Sequence, residues 1–198
     1  MKYPQLILFT GFLGSGKTSL LLKCAQVLSE SQKKCGIIVN EVGEIGIDNL
    51  QMKKMRFNVW EIFGGCICCT LAISLEETVH QLLNNYDLDT ILLEPSGASD
   101  PSALYKPLEK SGYTTQKIKN IFILDPLRVD MFEAVLEPYL ESSIPLANAV
   151  IINKIDVASA FELEESVRVI RKYSKDVPIF RINVNDVDSG IIKRILEG

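Results

Sequence analysis

The sequence has few of the features that mark nucleic-acid-binding or membrane-spanning proteins. No run of lysine or arginine occurs in its 198 residues, and the formal charge is −4, with 21 basic against 25 acidic residues. A polyanion would find no basic surface to bind, so we expect no nucleic-acid partner. No stretch approaches the roughly 20 consecutive apolar residues that a bilayer requires, so we expect no membrane partner either.

Signals for export are also scarce. The N-terminal segment has one lysine and a short apolar run, but no small-residue cleavage site follows, and the run leads directly into a glycine loop. The five cysteines are an odd number, and without secretory signals they are typical of reduced thiols. We therefore expect a cytoplasmic location.

Short apolar runs alternate with helical patterns along the chain. A length of 198 residues with 47% hydrophobic side chains predicts a single domain over residues 1–198. Ile/Leu/Val-rich strands joined by crossover helices predict an α/β fold with a mainly parallel sheet between helices, and ligands at the carboxyl ends of its strands. The predicted strands are 5–10, 35–40, 57–63, 89–94, 119–125, 148–153 and 177–183, and the predicted helices are 17–30, 72–85, 128–140 and 160–173.

A phosphate-binding loop follows the first predicted strand. The segment "GFLGSGKT" (Gly11 to Thr18) matches G-x-x-x-x-G-K-[ST] and lies between a strand and a helix, which is the context that such a loop requires. Backbone N–H groups would surround phosphate oxygens, Lys17 would reach the β and γ phosphates, and Thr18 would offer its hydroxyl to Mg²⁺. The residues predicted to bind nucleotide here are Gly14, Ser15, Gly16, Lys17, Thr18 and Ser19.

The sixth predicted strand ends in "NKID", where a nucleotide base would lie if the phosphates bind at the first strand. The Asp156 carboxylate could accept two hydrogen bonds from guanine, Lys154 would lie along the base plane, and Asn153 would brace the loop. The motif alone is weak, because a solvated turn often has such residues. Together with the phosphate loop it predicts GTP. Asn183, after the seventh strand, is a further candidate for approaching the base.

The fourth predicted strand ends in "LLEPSGASDP", which places Glu94 at a strand terminus. An acid there could hold Mg²⁺ or orient the attacking water, and Gly97 would let a backbone N–H approach the γ-phosphate. We interpret Asp100 and Ser99 as capping residues of a helix that starts nearby. Asp125, at the end of the fifth strand, is open between a structural and an active-site role.

Three thiols occur within four positions in "GGCICCT". In an extended segment Cys66 and Cys68 project to one side, about 6 to 7 Å apart at strand rise, and two thiolates with one or two more ligands suit Zn²⁺ or Co²⁺. Cys69 is a less certain third ligand. A buried apolar cluster, a vicinal disulfide or redox role, and a structural zinc site remain alternatives. Cys24 and Cys35 are expected to be buried, and His80 to lie on a helix face.

These motifs, in this order, resemble the metal-handling GTPases of the CobW type, which are relatives of the UreG and HypB nickel-insertion GTPases. The resemblance extends over almost the whole chain, and the C-x-C-C motif between the phosphate loop and the E-x-x-G of "EPSG" is specific to the family. It implies a P-loop GTPase whose hydrolysis is coupled to delivery of zinc, cobalt or nickel. CobW-like proteins usually continue into a C-terminal domain, so we expect only the nucleotide domain here.

The acidic segment "NEVGEIGID" follows the second predicted strand and resembles a switch loop, ordered by Mg²⁺ and the γ-phosphate. Glu41 is the candidate for Mg²⁺ or the attacking water, and Glu44 for a ligand of the transition metal. A solvated acidic loop is the alternative. One loop that touches both nucleotide and metal would allow hydrolysis to change metal affinity.

The expected function is that of a GTP-hydrolysing metallochaperone or metal-insertion factor. Its ligands would be GTP or GDP, Mg²⁺, and Zn²⁺, Co²⁺ or Ni²⁺, and its partner a client metalloprotein or cofactor-assembly protein. A nucleotide-dependent homodimer is a further expectation. No arginine finger is evident in the sequence, so slow intrinsic turnover is expected. The alternatives are a GTPase that activates a corrinoid or nickel enzyme without carrying metal, and a non-catalytic module that senses GTP and metal.

Overall fold

The described part of the chain forms a parallel sheet with helices on both faces. A computed structural model describes residues 3–39, 58–61, 70–95 and 100–197. Within them the strand order is β3-β2-β4-β1-β5-β6-β7, and every registered pair is parallel. The strands are β1 (Gln5–Gly11), β2 (Cys35–Val39), β3 (Asn58–Glu61), β4 (Thr90–Glu94), β5 (Ile118–Leu124), β6 (Ala149–Ile152) and β7 (Ile179–Arg181). The predicted α/β fold with a parallel sheet is confirmed.

The helices occupy most of the connections between strands. They are α1 (Lys17–Glu30), α2 (Thr70–Asn85), α3 (Ser102–Lys110), α4 (Val129–Val135), α5 (Glu137–Ser143), α6 (Ala160–Tyr173) and α7 (Ser189–Glu197). The start of α6 is fixed by a capping box, in which Ser159 Oγ accepts the Glu162 N–H at 3.3 Å and a Glu162 carboxylate oxygen accepts the Ser159 N–H at 2.7 Å. None of the described helices is long and apolar enough to cross a bilayer.

Alternate side chains of the central strands fill separate cores on the two sheet faces. From β1, Ile7 and Phe9 pack with α1 and α7 on one face, whereas Leu6 and Leu8 pack with α2 and α3 on the other. A third cluster joins β5 and β6 to α4, α5 and α6. Since β1 is buried on both faces, its carboxyl end is held rigidly where the phosphate loop begins.

The prediction of one helix over residues 128–140 is wrong. The segment forms a 3₁₀ turn (Pro126–Arg128) followed by α4 and α5, which are separated at Leu136. Pro138 explains the break, because it lacks an N–H to donate to the carbonyl four residues earlier and its ring clashes with that carbonyl. The backbone dihedral angles of Leu136, φ −120° and ψ 25°, lie outside the helical range.

The remaining expectations for the core are confirmed. Cys24 and Cys35 are buried in the cluster beneath α1, and His80 lies exposed on α2. Burial raises the pKa of the Cys35 thiol to about 12 and raises the pKa of the Cys24 thiol still further. Both thiols therefore stay protonated at ordinary pH.

Candidate functional site

The loop between β1 and α1 needs glycine at two positions for steric reasons. Gly11 has φ 132°, and a Cβ there would lie 2.2 Å from the carbonyl oxygen of Ile123 in β5. Gly16 has φ 102°, and its Cβ would lie 2.2 Å from Asn153 Nδ2. Only glycine adopts these conformations at such close approach without strain. The predicted phosphate-binding loop is thus packed directly against the ends of β5 and β6.

Lys17 folds back over the loop that precedes it. Its side chain is 5% exposed, and Nζ donates a hydrogen bond to the Phe12 carbonyl at 3.2 Å. Because Lys17 is also the first residue of α1, its charge adds to the partial positive charge of the helix N-terminus. Lys17 and the N-terminus of α1 together place positive charge beside the loop, which would favour binding of an anion there.

The aromatic floor of the loop is formed by Phe12. Its ring meets Phe132 edge-on at a centroid distance of 5.2 Å and Tyr139 at 6.5 Å. Burial raises the pKa of Tyr139 to about 12. Tyr139 therefore stays neutral and serves to pack the loop against α5.

Glu94 lies beside the phosphate loop because β4 is hydrogen-bonded to β1 in parallel. The Thr18 hydroxyl donates to Glu94 Oε1 at 3.0 Å, and Lys17 Nζ lies 3.9 Å from the same oxygen. A hydroxyl and a carboxylate oxygen in contact are the kind of donors that Mg²⁺ prefers. The residue types present therefore fit Mg²⁺, which Thr18 and Glu94 would hold.

Asn153 joins the phosphate loop to the neighbouring strands. Its Nδ2 donates to the Ser15 carbonyl at 2.8 Å, and its Oδ1 accepts the Val184 N–H at 3.0 Å. Asn153 is 2% exposed, so both hydrogen bonds are shielded from water. The predicted bracing role agrees with this geometry, and the brace acts on the phosphate loop as well as on the segment after β7.

The amine of Lys154 is paired with Asp125. Lys154 Nζ lies 2.7 Å from Asp125 Oδ2, and Asp125 Oδ1 accepts the Leu127 N–H at 3.1 Å. Asp125 is almost fully buried, whereas Asp156 is exposed at the same end of the sheet. Asp125 thus fixes the segment after β6, and guanine recognition by Asp156 stays a prediction.

Asn183 has a local partner. Its Oδ1 accepts the Asn185 N–H at 3.0 Å, so the side chain caps the 3₁₀ turn after β7. Ser19 is exposed on the first turn of α1. Asp100 Oδ1 accepts the Ser102 N–H at 2.9 Å, which agrees with its predicted capping role.

Sequence reasoning missed Arg128. Its Nη1 donates to the Leu13 carbonyl of the phosphate loop at 3.3 Å, and its Nε lies 3.9 Å from Asp125 Oδ2. The only signal in the sequence is its place shortly after the end of β5, at the edge of the sheet where ligands gather.

Several predicted site residues lie outside the described residues. They are Glu41, Glu44, Cys66, Cys68, Cys69 and Gly97. In the described ranges no three His, Cys, Asp or Glu side chains converge in a way that could hold a metal ion. The transition-metal ligands therefore stay predictions.

Comparison with known proteins gives matches over most of the chain. The model of the CobW/HypB/UreG nucleotide-binding domain matches residues 5–181. The "Zinc chaperone YjiA" of Escherichia coli is 27% identical, over 93% of this chain and 59% of its own length. The "Zinc-regulated GTPase metalloprotein activator 1" of Dictyostelium discoideum is 26% identical, over 89% of this chain and 44% of its own. The chain thus spans roughly half of each of these two relatives.

The fold is also shared with solved structures. A crystal structure of HypB from Helicobacter pylori in complex with nickel superposes with a TM-score of 0.73 at 20% identity. The match covers 98% of this chain and 86% of that one. At this identity the likeness shows the fold alone.

Proposed function

The chain belongs to the CobW/HypB/UreG family of nucleotide-binding domains, and from this membership we propose that it binds and hydrolyses GTP and couples hydrolysis to delivery of a transition metal. The observation that carries the proposal is the joining of the phosphate loop to the "NKID" segment. Asn153 contacts both the Ser15 carbonyl and the Val184 N–H, so the loop that would bind phosphates is joined to the segment that would bind the base.

GTP would bind along the carboxyl ends of β1 and β6. The loop N–H groups and Lys17 would hold the β and γ phosphates, with the N-terminus of α1 behind them. Asp156 would accept hydrogen bonds from the guanine N1–H and exocyclic amine, which adenine does not present in that arrangement. Lys154, anchored by Asp125, would keep the base segment in place.

Hydrolysis would proceed by in-line attack of water on the γ-phosphorus. Bound Mg²⁺ would supply charge neutralisation at the phosphates. Thr18 and Glu94 already lie in contact, which supports a role in holding that ion. Lys17 would stabilise charge on the leaving diphosphate, and Glu41 is the proposed residue that orients water. A backbone N–H at Gly97 would complete the γ-phosphate contacts.

The transported metal would be bound by thiolates. We assign Cys66 and Cys68 as ligands, with Cys69 and Glu44 completing the set, because thiolate and carboxylate donors suit Zn²⁺ and Co²⁺. Ni²⁺ is a further candidate cargo. The names of the relatives support zinc for those proteins and favour it as the first ion to test here. The recipient would be a client metalloprotein, and a nucleotide-linked homodimer is part of the proposal.

A calorimetric titration of Zn²⁺ tests the coupling between the two ligands. The reduced protein is loaded either with GDP or with a non-hydrolysable GTP analogue, and metal affinity is compared. A shared switch loop requires reciprocal coupling, for which an affinity ratio of about 5 to 150 is typical. Equal Zn²⁺ affinities in the two nucleotide states would refute hydrolysis-driven release.

Matched cysteine variants identify the ligands. Cys66→Ser with Cys68→Ser should remove Zn²⁺ binding and the coupling together, while GTP affinity without metal stays nearly unchanged. Cys24→Ala with Cys35→Ala is the control, because both thiols are buried in the core and should leave Zn²⁺ binding intact. Loss of Zn²⁺ binding in the control pair alone would move the metal site away from the C-x-C-C motif.

A further inference from the structure

Two cations contact neighbouring carbonyl groups of the phosphate loop. Lys17 Nζ donates to the Phe12 carbonyl at 3.2 Å, and Arg128 Nη1 donates to the Leu13 carbonyl at 3.3 Å. Consecutive residues are only about 3.8 Å apart along the backbone. The guanidinium therefore reaches the loop close to the lysine that is expected to contact the β and γ phosphates.

Arg128 is held by contacts that a phosphate could replace. Its bond to Leu13 is long for a hydrogen bond, and its 3.9 Å approach to Asp125 is secondary to the 2.7 Å pairing of that acid with Lys154. The Arg128 side chain is 47% exposed, so it can change rotamer without opening a cavity. A bond from guanidinium to a phosphate oxygen is shorter and stronger than one to a neutral carbonyl.

The position of Arg128 is fixed by local structure. It ends the 3₁₀ turn that starts at Pro126, and Asp125 orders that turn by accepting the Leu127 N–H. Asp125 follows β5, which pairs with β1 along the strand that leads into the loop. An ordered turn at the carboxyl end of β5 thus holds the guanidinium next to the phosphate loop.

We propose that Arg128 is an arginine finger supplied in cis, whose guanidinium leaves the Leu13 carbonyl and contacts the γ-phosphate of bound GTP during hydrolysis. The inference depends on the proposed GTPase function. Water attacks the γ-phosphorus, and a bond forms from its oxygen. The bond from the γ-phosphorus to the β–γ bridging oxygen breaks, GDP takes the electron pair, and the water protons end on phosphate and solvent. Arg128 offsets the charge that develops on the transferring group.

The test compares Arg128→Ala and Arg128→Lys with the unchanged protein in single-turnover GTP hydrolysis. Arginine fingers contribute about 10³- to 10⁵-fold to turnover, so we expect Arg128→Ala to lose at least about 10³-fold in rate. Its affinity for GDP should stay within about threefold, because the guanidinium acts on the γ position only. Arg128→Lys should retain part of the rate, since it keeps the charge but loses the planar fork.

Binding of GDP with aluminium fluoride distinguishes catalysis from a structural role. This complex mimics the transferring phosphoryl group, so Arg128→Ala should lose its binding while GDP binding persists. If Arg128 has a structural role, Arg128→Ala should instead lower the melting temperature and weaken binding of GDP as much as binding of the aluminium fluoride complex. Arg194→Ala is the matched control, because Arg194 is also exposed but its guanidinium lies over the Phe180 ring.

The outcomes separate this inference from the proposed function. If the unchanged protein hydrolyses GTP and Arg128→Ala is equally fast, the finger is refuted and the GTPase stands. If the unchanged protein binds GTP without hydrolysing it, aluminium fluoride binding that requires Arg128 supports the finger, and binding that does not require it refutes the finger. If the unchanged protein does not bind GTP, both proposals fail.

Discussion

Replacing Asn153 with alanine should destabilise the protein and its phosphate loop together. The side chain makes two hydrogen bonds, to the Ser15 carbonyl at 2.8 Å and from the Val184 N–H at 3.0 Å. Ser15 is fully buried, and Asn153 itself is 2% exposed. Water cannot easily take the place of the lost amide, so both backbone groups would be left without that partner.

The magnitude follows from those two groups. A buried donor or acceptor that loses its partner costs about 1–3 kcal/mol, so with two such groups the variant should lose about 2–6 kcal/mol in the free energy of unfolding. That is a large share of the 5–15 kcal/mol typical of a native domain. GTP affinity should fall as well, because the Ser15 carbonyl no longer fixes the peptide that leads into Gly16.

Urea unfolding without nucleotide measures the first effect, and nucleotide titration measures the second. Asn185→Ala is the control, because its side chain is exposed on the turn that contains Val184, and it should cost less than about 0.5 kcal/mol. A loss below about 0.5 kcal/mol for Asn153→Ala would show that the neighbouring backbone groups find other partners. The bracing of the phosphate loop by Asn153 would then be refuted.

Further predictions concern the nucleotide and the buried thiols. Lys17→Ala should abolish GTP hydrolysis while melting stays within a few degrees, as calorimetry would check; a collapse of the melting transition would assign Lys17 a structural role. Asp156→Asn should weaken guanine-nucleotide binding by about 1.5–3 kcal/mol, and equal affinity of the unchanged protein for ATP and GTP would contradict base recognition. Because the folded pKa of Cys35 is raised from 9.0 to about 12 and that of Cys24 is raised as well, the unfolded chain loses these protons first as pH rises. The unfolding free energy should therefore fall from about pH 9 upward, by up to about 1.4 kcal/mol per pH unit for each thiol. Urea titrations at pH 8 and 10 should show a smaller fall in the unfolding free energy for Cys35→Ala than for the unchanged protein. An equal fall would refute the role of the Cys35 thiol in this pH dependence.

The central strands could be predicted from the sequence because burial on both faces produces a continuous apolar run. A parallel strand that lies between two layers of helices is a continuous apolar run, as in β1 and β5. The helix α7 was not predicted. It has only nine residues, and it is stabilised by packing of Ile192, Ile195 and Leu196 in the cluster that contains α1. Such a tertiary contribution to a short helix is not visible in a local pattern.

Within the candidate site, the residues of sequence motifs, such as Lys17, Glu94 and Asn153, could be predicted, whereas their contacts with other strands could not. Gly16 and Lys17 belong to one loop, so their spacing in the sequence specifies their chemistry. Asn153 and Ser15 are 138 residues apart, and Arg128 and Leu13 are 115 apart. These pairs meet only because β5 lies between β1 and β6 in the sheet.

That strand order also explains why one loop has so many partners. The phosphate loop leaves the centre of the sheet, where β4 brings Glu94 to Thr18 from one side and β5 brings Arg128 to Leu13 from the other. The residues proposed to respond to the γ-phosphate are thereby divided between two edges of the same loop. A change of charge at the γ position would act on both edges at once. The acidic and thiol segments precede and follow β3 in the sequence, and β3 itself lies on the Glu94 side of the strand order. A nucleotide-dependent change in metal affinity should therefore persist in Arg128→Ala, whereas Glu94→Gln should abolish it. Zn²⁺ titration of the two variants, with GDP and with a GTP analogue, measures that change. Loss of the nucleotide dependence in Arg128→Ala alone would contradict this division of the loop.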